Sequence, residues 1–330
     1  MSGSPLRLQL LNKLILRFAS TSLSKSFGAP VFFLRCGVLT VFLTVIQGQE
    51  QQQCGKLRET QFYNHKLFTD PDEHTWIGRL FNGGEPDKPE PVSDCLAVLI
   101  HQRYAILTAL CTLYNYPSTL PKYIVFGDWR ANPNTKTGDC RVASEITQCS
   151  PSPQAVDIEE FAVHPLYVKG KLDNDIALAK LVRNVELSEF VQPLCLPPAQ
   201  EIEGNYIGQR LEIAGFQYQP SNREEVTEEL EWRIKATRHA SSLEYCTSVM
   251  EPLIKENLSQ SILCVVGVKT NYLQPGSPLM DFELMDGKPR NYYLVGIKTF
   301  GTLGRFRSWT FIDGYLRILP FRNWILRNIE

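Results

Sequence analysis

The sequence predicts an all-β fold of two packed β-barrels, and three observations lead there. Short β-rich runs recur at residues 95–100, 123–126, 210–214 and 292–297, each bounded by Pro, Gly, Asn or Asp. No alternation of helical and strand patterns of the doubly wound kind appears between them. Once an N-terminal leader is set aside, about 280 residues remain, long for one all-β domain and suited to two barrels sharing an interface.

The leader occupies residues 1–48. It carries Arg7, Lys13, Arg17, Lys25 and Arg35 and no acid, then an apolar run over 36–46 that ends near Gln47-Gly48. A basic stretch, a short apolar stretch and a small residue near the cut form the layout of a secretory signal, here with a long basic region. The apolar run falls short of the roughly 20 residues a spanning helix needs. Arg35 blocks its extension, so no stable membrane anchor is expected. A mitochondrial presequence fits the Ser and Arg before residue 30 but not the cysteines that follow.

Those cysteines agree with export. The chain has nine, and removal of Cys36 with the leader leaves eight, an even number suited to disulfides in an oxidising compartment. Spacing alone does not choose among roughly a hundred pairings. No Cys-x-x-Cys pair occurs and the five histidines are scattered, so neither a metal site nor a cofactor is expected.

Charge excludes one class of partner. The formal net charge is -1, and subtracting the five basic leader residues leaves about -6, which gives no basis for nucleic-acid binding. Acid gathers at Glu224, Glu225, Glu228, Glu229 and Glu231, while Arg305, Arg307, Arg317, Arg322 and Arg327 bias the last stretch basic. Such clusters read first as solvated surface and second as a binding face.

Helical signal is confined to residues 241–250 and 319–329. In the latter Phe321, Trp324, Ile325 and Ile329 recur at helical spacing, a stripe for packing on a barrel. Residues 186–200, with Pro193, Pro197 and Pro198, read as a linker between barrels. Asn257-Leu258-Ser259 is a glycosylation sequon, which makes Asn257 a candidate glycan site on a secreted surface.

Several motifs then converge. Leu273-Gln274-Pro275-Gly276-Ser277-Pro278-Leu279 resembles the Gly-Asp-Ser-Gly-Gly-Pro-Leu motif around the nucleophile of trypsin-like proteases. Asp173-Asn174-Asp175-Ile176-Ala177-Leu178 resembles the segment carrying the triad aspartate. Residues 193–197 resemble the linker whose cysteine ties light chain to protease domain, and 292–301 the strand lining the substrate cleft. Phe126-Gly127-Asp128-Trp129, with Cys140, Cys149 and Val163-His164-Pro165, is similar to the extra-disulfide loop of insect clip-domain proteases. Over roughly residues 54–328 the chain thus resembles a chymotrypsin-fold serine protease domain, closest in type to that clip-domain group.

The resemblance implies two six-stranded antiparallel β-barrels, the first over about 67–185 and the second over about 201–318. A light-chain-like segment 49–66 precedes the domain of 67–330, and a C-terminal helix covers 319–330. It implies disulfides Cys54–Cys195, Cys95–Cys111, Cys140–Cys149 and Cys246–Cys264. The family's bridge across the specificity pocket has no cysteines here, and the span between Gly48 and Cys54 leaves no room for a six-cysteine clip module.

At the residues that do chemistry the chain departs from the family. Leu110, in Leu107-Thr108-Ala109-Leu110-Cys111, stands in the histidine slot and cannot accept a proton. Pro275 stands in the serine slot. It has neither hydroxyl nor backbone N–H, so nucleophile and one oxyanion donor go together. Gln274 replaces the aspartate that pairs with the new amino terminus after cleavage, and the Gly-Gly pair expected at the activation site near Lys66 is missing.

Asp175 keeps the triad aspartate position and is expected to be a structural relic, with Thr299 in the slot of a serine that donates to it. His101 reads as a turn residue rather than a substitute base. Ser277 as a nucleophile in a shifted register would cost the Gly276, Pro278 and Leu279 match and would still lack a histidine. Lys269 lies near the family's specificity aspartate, in a shortened segment.

The resulting expectation is a secreted, catalytically inactive homologue that acts by binding. Family analogy alone supplies the setting, an extracellular insect immune cascade of the melanisation or Toll type, with proteases or zymogens as partners and a role as cofactor, adaptor or decoy. The rival readings are a protein that recognises microbial surfaces, and an active endopeptidase with an unrecognised constellation.

Overall fold

The computed structural model describes residues 53–329 apart from 86–87, 90–91, 114–119, 132–135, 144, 201–205, 219–226, 251–257, 268–271 and 302–310. The leader, Lys269 and Asn257 lie outside the described residues.

Two closed antiparallel barrels of six strands each form the protein, a trypsin-like fold. The first barrel uses β1 (Ile77–Phe81), β2 (Val92–His101), β3 (Tyr104–Leu107) and β4 (Tyr123–Phe126). A side hairpin of β5 (Cys140–Ala143) and β6 (Ile146–Cys149) follows, and β7 (Gln154–Val163) and β8 (Ala177–Leu181) complete the barrel in the order β1-β2-β3-β8-β7-β4. The second barrel takes β9 (Arg210–Gly215), β10 (Ile234–Ser241), β11 (Ile262–Gly267), β12 (Pro278–Met285), β13 (Lys288–Gly301) and β14 (Phe311–Arg317), in the order β9-β10-β11-β14-β13-β12. Closure leaves neither barrel an edge strand to template aggregation.

The sequence supports these strands residue by residue. β3 reads Tyr-Ala-Ile-Leu and is buried throughout, and β1 is buried over all five positions. Gly78 in β1 is required sterically, since a Cβ there would lie 2.5 Å from Ile124 and 2.6 Å from the Phe126 ring of β4. One apolar cluster joins the barrels, bringing Leu96, Ile106 and Leu194 together with Phe216, Met280 and Leu294.

All eight cysteines of the described chain are paired, as Cys54–Cys195, Cys95–Cys111, Cys140–Cys149 and Cys246–Cys264. The first ties the N-terminal segment to the stretch between barrels, where Gly55 N–H also donates to Pro193 O at 2.8 Å. The second anchors the turn after β3 to β2.

The α-helical segments among the described residues are short: α1 (Glu59–Phe62), α2 (Glu228–Glu231), α3 (Leu243–Met250) and α4 (Arg322–Asn328). In α4 and the 3₁₀ turn before it, Ile325 and Phe321 are buried against the core, and Phe321 and Trp324 each meet the His164 ring edge-on at 5.1 Å. The acidic run is not all free surface, because Glu228 pairs with Arg141 at 2.8 Å and Glu231 with Arg130 at 2.9 Å. No described helix is long and apolar enough to cross a membrane.

Candidate functional site

Positions 110 and 275 fall on either side of the barrel junction, each held by a main-chain group in a hydrogen bond. β3 ends at Leu107 and tightens into a 3₁₀ turn, Ala109–Thr112, which sets Leu110 partly in solvent at 39% exposure. Cys111, next along, is disulfide-bonded to Cys95 of β2, so the turn cannot drift.

Asp175 reaches this turn from the segment before β8. Asn174 precedes it in the left-handed region at φ 57°, a conformation Asn tolerates better than most residues. The Asp175 carboxylate is buried and accepts Leu110 N–H at 2.8 Å. Burial pushes its pKa up to about 6, and the backbone N–H groups of Leu110 and Ala109 pull it part of the way back. An imidazole at position 110 would meet this carboxylate. The leucine side chain offers no ring nitrogen to this carboxylate.

Thr299 corrects one expectation. Its hydroxyl donates to Gly314 O at 3.2 Å rather than to Asp175, because a register shift between Lys298 and Phe300 in the β13–β14 pairing turns it toward β14. The carboxylate of Asp175 is satisfied by backbone instead.

Pro275 lies across the junction in the turn before β12. Its carbonyl accepts Leu96 N–H at 2.8 Å, which hydrogen-bonds the turn to the first barrel. Gly276, at φ 84°, is wedged against that barrel, since a Cβ there would sit 1.9 Å from Leu96 O. The turn's N–H groups are committed inside the fold: Gln274 N–H to Phe216 O, Gly276 N–H to Lys298 O and Ser277 N–H to Gln274 O. Pro275 has none to offer. Ser277 is fully buried, and its hydroxyl donates to Gln274 O at 2.5 Å.

Gln274 is buried, and its amide nitrogen donates to Gln217 O at 3.3 Å. His101 closes the β2–β3 hairpin, where its Nδ1 accepts Arg103 N–H at 3.2 Å. Lys66 is exposed, with its ammonium 3.9 Å from Asp70.

Sequence reasoning missed three buried charge clusters. Arg79 pairs with Asp128, and the fully buried Arg233 donates to Asp128 O, Pro71 O and the Thr69 hydroxyl. Lys235 pairs with Glu73 at 2.5 Å, beside His74, whose Nε2 lies 2.9 Å from Glu212. In the second barrel Lys298 pairs with Asp313 at 2.8 Å. The available signal was a charge inside a β-run, as in Trp232-Arg233-Ile234-Lys235 and Gly296-Ile297-Lys298.

Comparison with known proteins agrees with this architecture. The trypsin family profile matches residues 68–325. Phenoloxidase-activating factor 3 of Holotrichia diomphalia is 27% identical over 272 residues, which cover 79% of this chain and 71% of that protein. CLIP domain-containing serine protease HP8 of Bombyx mori is 27% identical over 278 residues, covering 81% of this chain and 70% of that one. Among solved structures, the Drosophila Grass clip serine protease of the Toll pathway superposes with a TM-score of 0.63 at 20% identity, covering 86% of this chain and 76% of that chain.

Proposed function

Because the chain belongs to the trypsin family, we propose that it is a secreted member that has given up catalysis and acts by being bound, as a cofactor, adaptor or decoy among the proteases of an extracellular cascade. The observation that carries the reading is the pair of side chains flanking the barrel junction. Leu110, at the tip of the turn held by Asp175, offers no base, and Pro275, hydrogen-bonded through its carbonyl to Leu96, offers neither hydroxyl nor oxyanion donor. The hydroxyl of Ser277, two residues after Pro275, is buried and already donating to a carbonyl.

The setting is drawn from the relatives. Two relatives are named for acting on other proteins, phenoloxidase-activating factor 3 of Holotrichia diomphalia and Spaetzle-processing enzyme of Drosophila melanogaster. A chain of the same fold without turnover presents the surface of such a protease and keeps what it binds. The leader at 1–48, the even cysteine count and the four disulfides support an extracellular place for it.

Two measurements test the reading. A fluorophosphonate probe should leave the purified chain unlabelled, and a covalent adduct abolished by Ser277→Ala would reverse the assignment to a working hydrolase. Added to a reconstituted cascade, the chain should change the activation rate of a downstream zymogen. Retention on cell-wall polysaccharide with no effect on any zymogen would move the function to surface recognition.

A further inference from the structure

The second barrel holds a lysine where strand packing calls for an apolar side chain. Residues Tyr292–Val295 and Ile297 of β13 are buried and apolar apart from the tyrosine hydroxyls, and Lys298, only 1% exposed, continues the run. Its Nζ lies 2.8 Å from Asp313 Oδ1 on β14 and 4.0 Å from the centre of the Tyr272 ring. Arg238 of β10 approaches the other carboxylate oxygen at 3.8 Å. Tyr315, fully buried, feels the Asp313 charge as well.

The space is shaped for this arrangement. A Cβ at Gly301 would stand 2.2 Å from Asp313 Oδ1 and 3.0 Å from Tyr272, and one at Gly267 would stand 2.8 Å from Arg238. Two glycines therefore clear the room that the charged groups fill. Buried ion pairs rarely stabilise a fold beyond what apolar residues of equal volume achieve, so stability alone does not account for this one. A carboxylate facing an aromatic ring across the width of one ammonium is how alkylammonium sites are built.

We propose that Asp313, Tyr272 and Gly301 form a primary-ammonium binding site in the cleft wall, and that the chain's own Lys298 occupies it permanently. The site is thereby closed to a basic side chain of any partner. This goes beyond the reading of positions 110 and 275, since a chain with histidine at 110 and serine at 275 would keep the same plug.

Removing Cγ to Nζ of Lys298 leaves a space that matches n-propylammonium. Thermal unfolding of the full secreted chain is followed with rising n-propylammonium chloride against sodium chloride at equal ionic strength. Lys298→Ala should gain a saturable rise in Tm on the order of 5 °C, while wild type and the Lys298→Ala/Asp313→Asn double variant show none. A flat response in Lys298→Ala, or an equal rise in wild type, overturns the proposal.

Should Lys298→Ala not fold, acetylation of wild type decides, read peptide by peptide in a mass spectrometer. Lys298 should react at least about 100-fold more slowly than the exposed Lys66. A rate within about tenfold of Lys66 overturns the proposal as well. Both readouts are independent of turnover, so a chain that proved to cut peptide would leave this inference standing.

Discussion

Leu110 donates its backbone N–H to the Asp175 carboxylate at 2.8 Å, so the buried carboxylate is held by main chain at a residue whose side chain can accept no proton. The contact is available to any residue at position 110 except proline. It explains how a buried carboxylate persists without a charged partner at position 110, because each backbone donor offsets part of the cost of burial.

That burial has a pH signature. The folded-state pKa of Asp175 is about 6, above its ordinary 3.8, so between those values the folded chain binds the extra proton. The stability linked to this carboxyl is therefore complete below about pH 4 and is lost as pH rises through 6. Asp175→Asn, which keeps a carbonyl for Leu110, should flatten the fall in unfolding free energy, read from urea titrations, between pH 4 and 8 by up to about 3 kcal/mol. Asp128 is also pushed up to about 6, so the variant retains one group in that window and its slope is reduced rather than abolished. Identical slopes in wild type and variant would show that Asp175 does not titrate there.

Restoring two side chains should not restore an enzyme. In Leu110→His with Pro275→Ser, the imidazole would face Asp175 and the hydroxyl would return, but Gln274 would still place an amide where a carboxylate is needed to order the turn. Hydrolysis of a chromogenic ester should stay within about tenfold of buffer, against the roughly 10⁶ that serine and histidine supply in a working site. Turnover far above buffer would show that the rest of the cleft is competent and that only the triad had been lost.

Gly276 wedges the degenerate turn against the first barrel, beside the Leu96-to-Pro275 hydrogen bond of 2.8 Å. Gly276→Ala meets a carbonyl at 1.9 Å in addition to its positive φ and should cost more than about 2 kcal/mol in chemical denaturation. Gly287 is the control, with φ 75° and nothing within 4 Å of a Cβ. Its alanine variant should cost only the left-handed strain of about 1 kcal/mol. Equal losses at the two sites would mean that the wedge carries no weight.

Much of the barrel framework was legible because apolar runs and turn residues are local signals. Residues 123–126 became β4 with the same ends, and 210–214 gained only Gly215 in β9. The helices α3 and α4 announced themselves by spacing and composition. The four-residue α1 and α2 did not, since neither has a side-chain cap and both are held by tertiary contacts such as Arg130 to Glu231. Thr299 was misdirected because β13 is buried on both faces over 292–299, so alternation gives no bearing, and the bulge beside it leaves no mark in the sequence. The Lys298–Asp313 pair was hidden for a related reason: the partners meet only when β13 and β14 close the barrel.

The segment around Lys66 is held on both flanks, which decides what a cut there would do. Upstream, Cys54 is bonded to Cys195 and the carbonyl of Gln61 accepts from the buried Lys235 ammonium at 2.6 Å. Downstream, Glu73 takes the same ammonium at 2.5 Å, Lys235 N–H donates to Leu67 O at 2.8 Å, and Thr69 N–H donates to Arg233 O at 3.1 Å. A new amino terminus at Leu67 would therefore start one residue before the strand-like Phe68–Ile234 contact, with its own carbonyl bonded to Lys235 N–H and no slack to travel toward Gln274. Limited trypsin digestion at Lys66 should leave the two pieces joined on a non-reducing gel and shift Tm by no more than about 3 °C. Lys235→Met should cost about 3–5 kcal/mol by leaving Glu73 buried without its cation. A large change in Tm on cleavage of the wild-type chain would mean that the segment is released after all and that cutting rearranges the junction around Pro275.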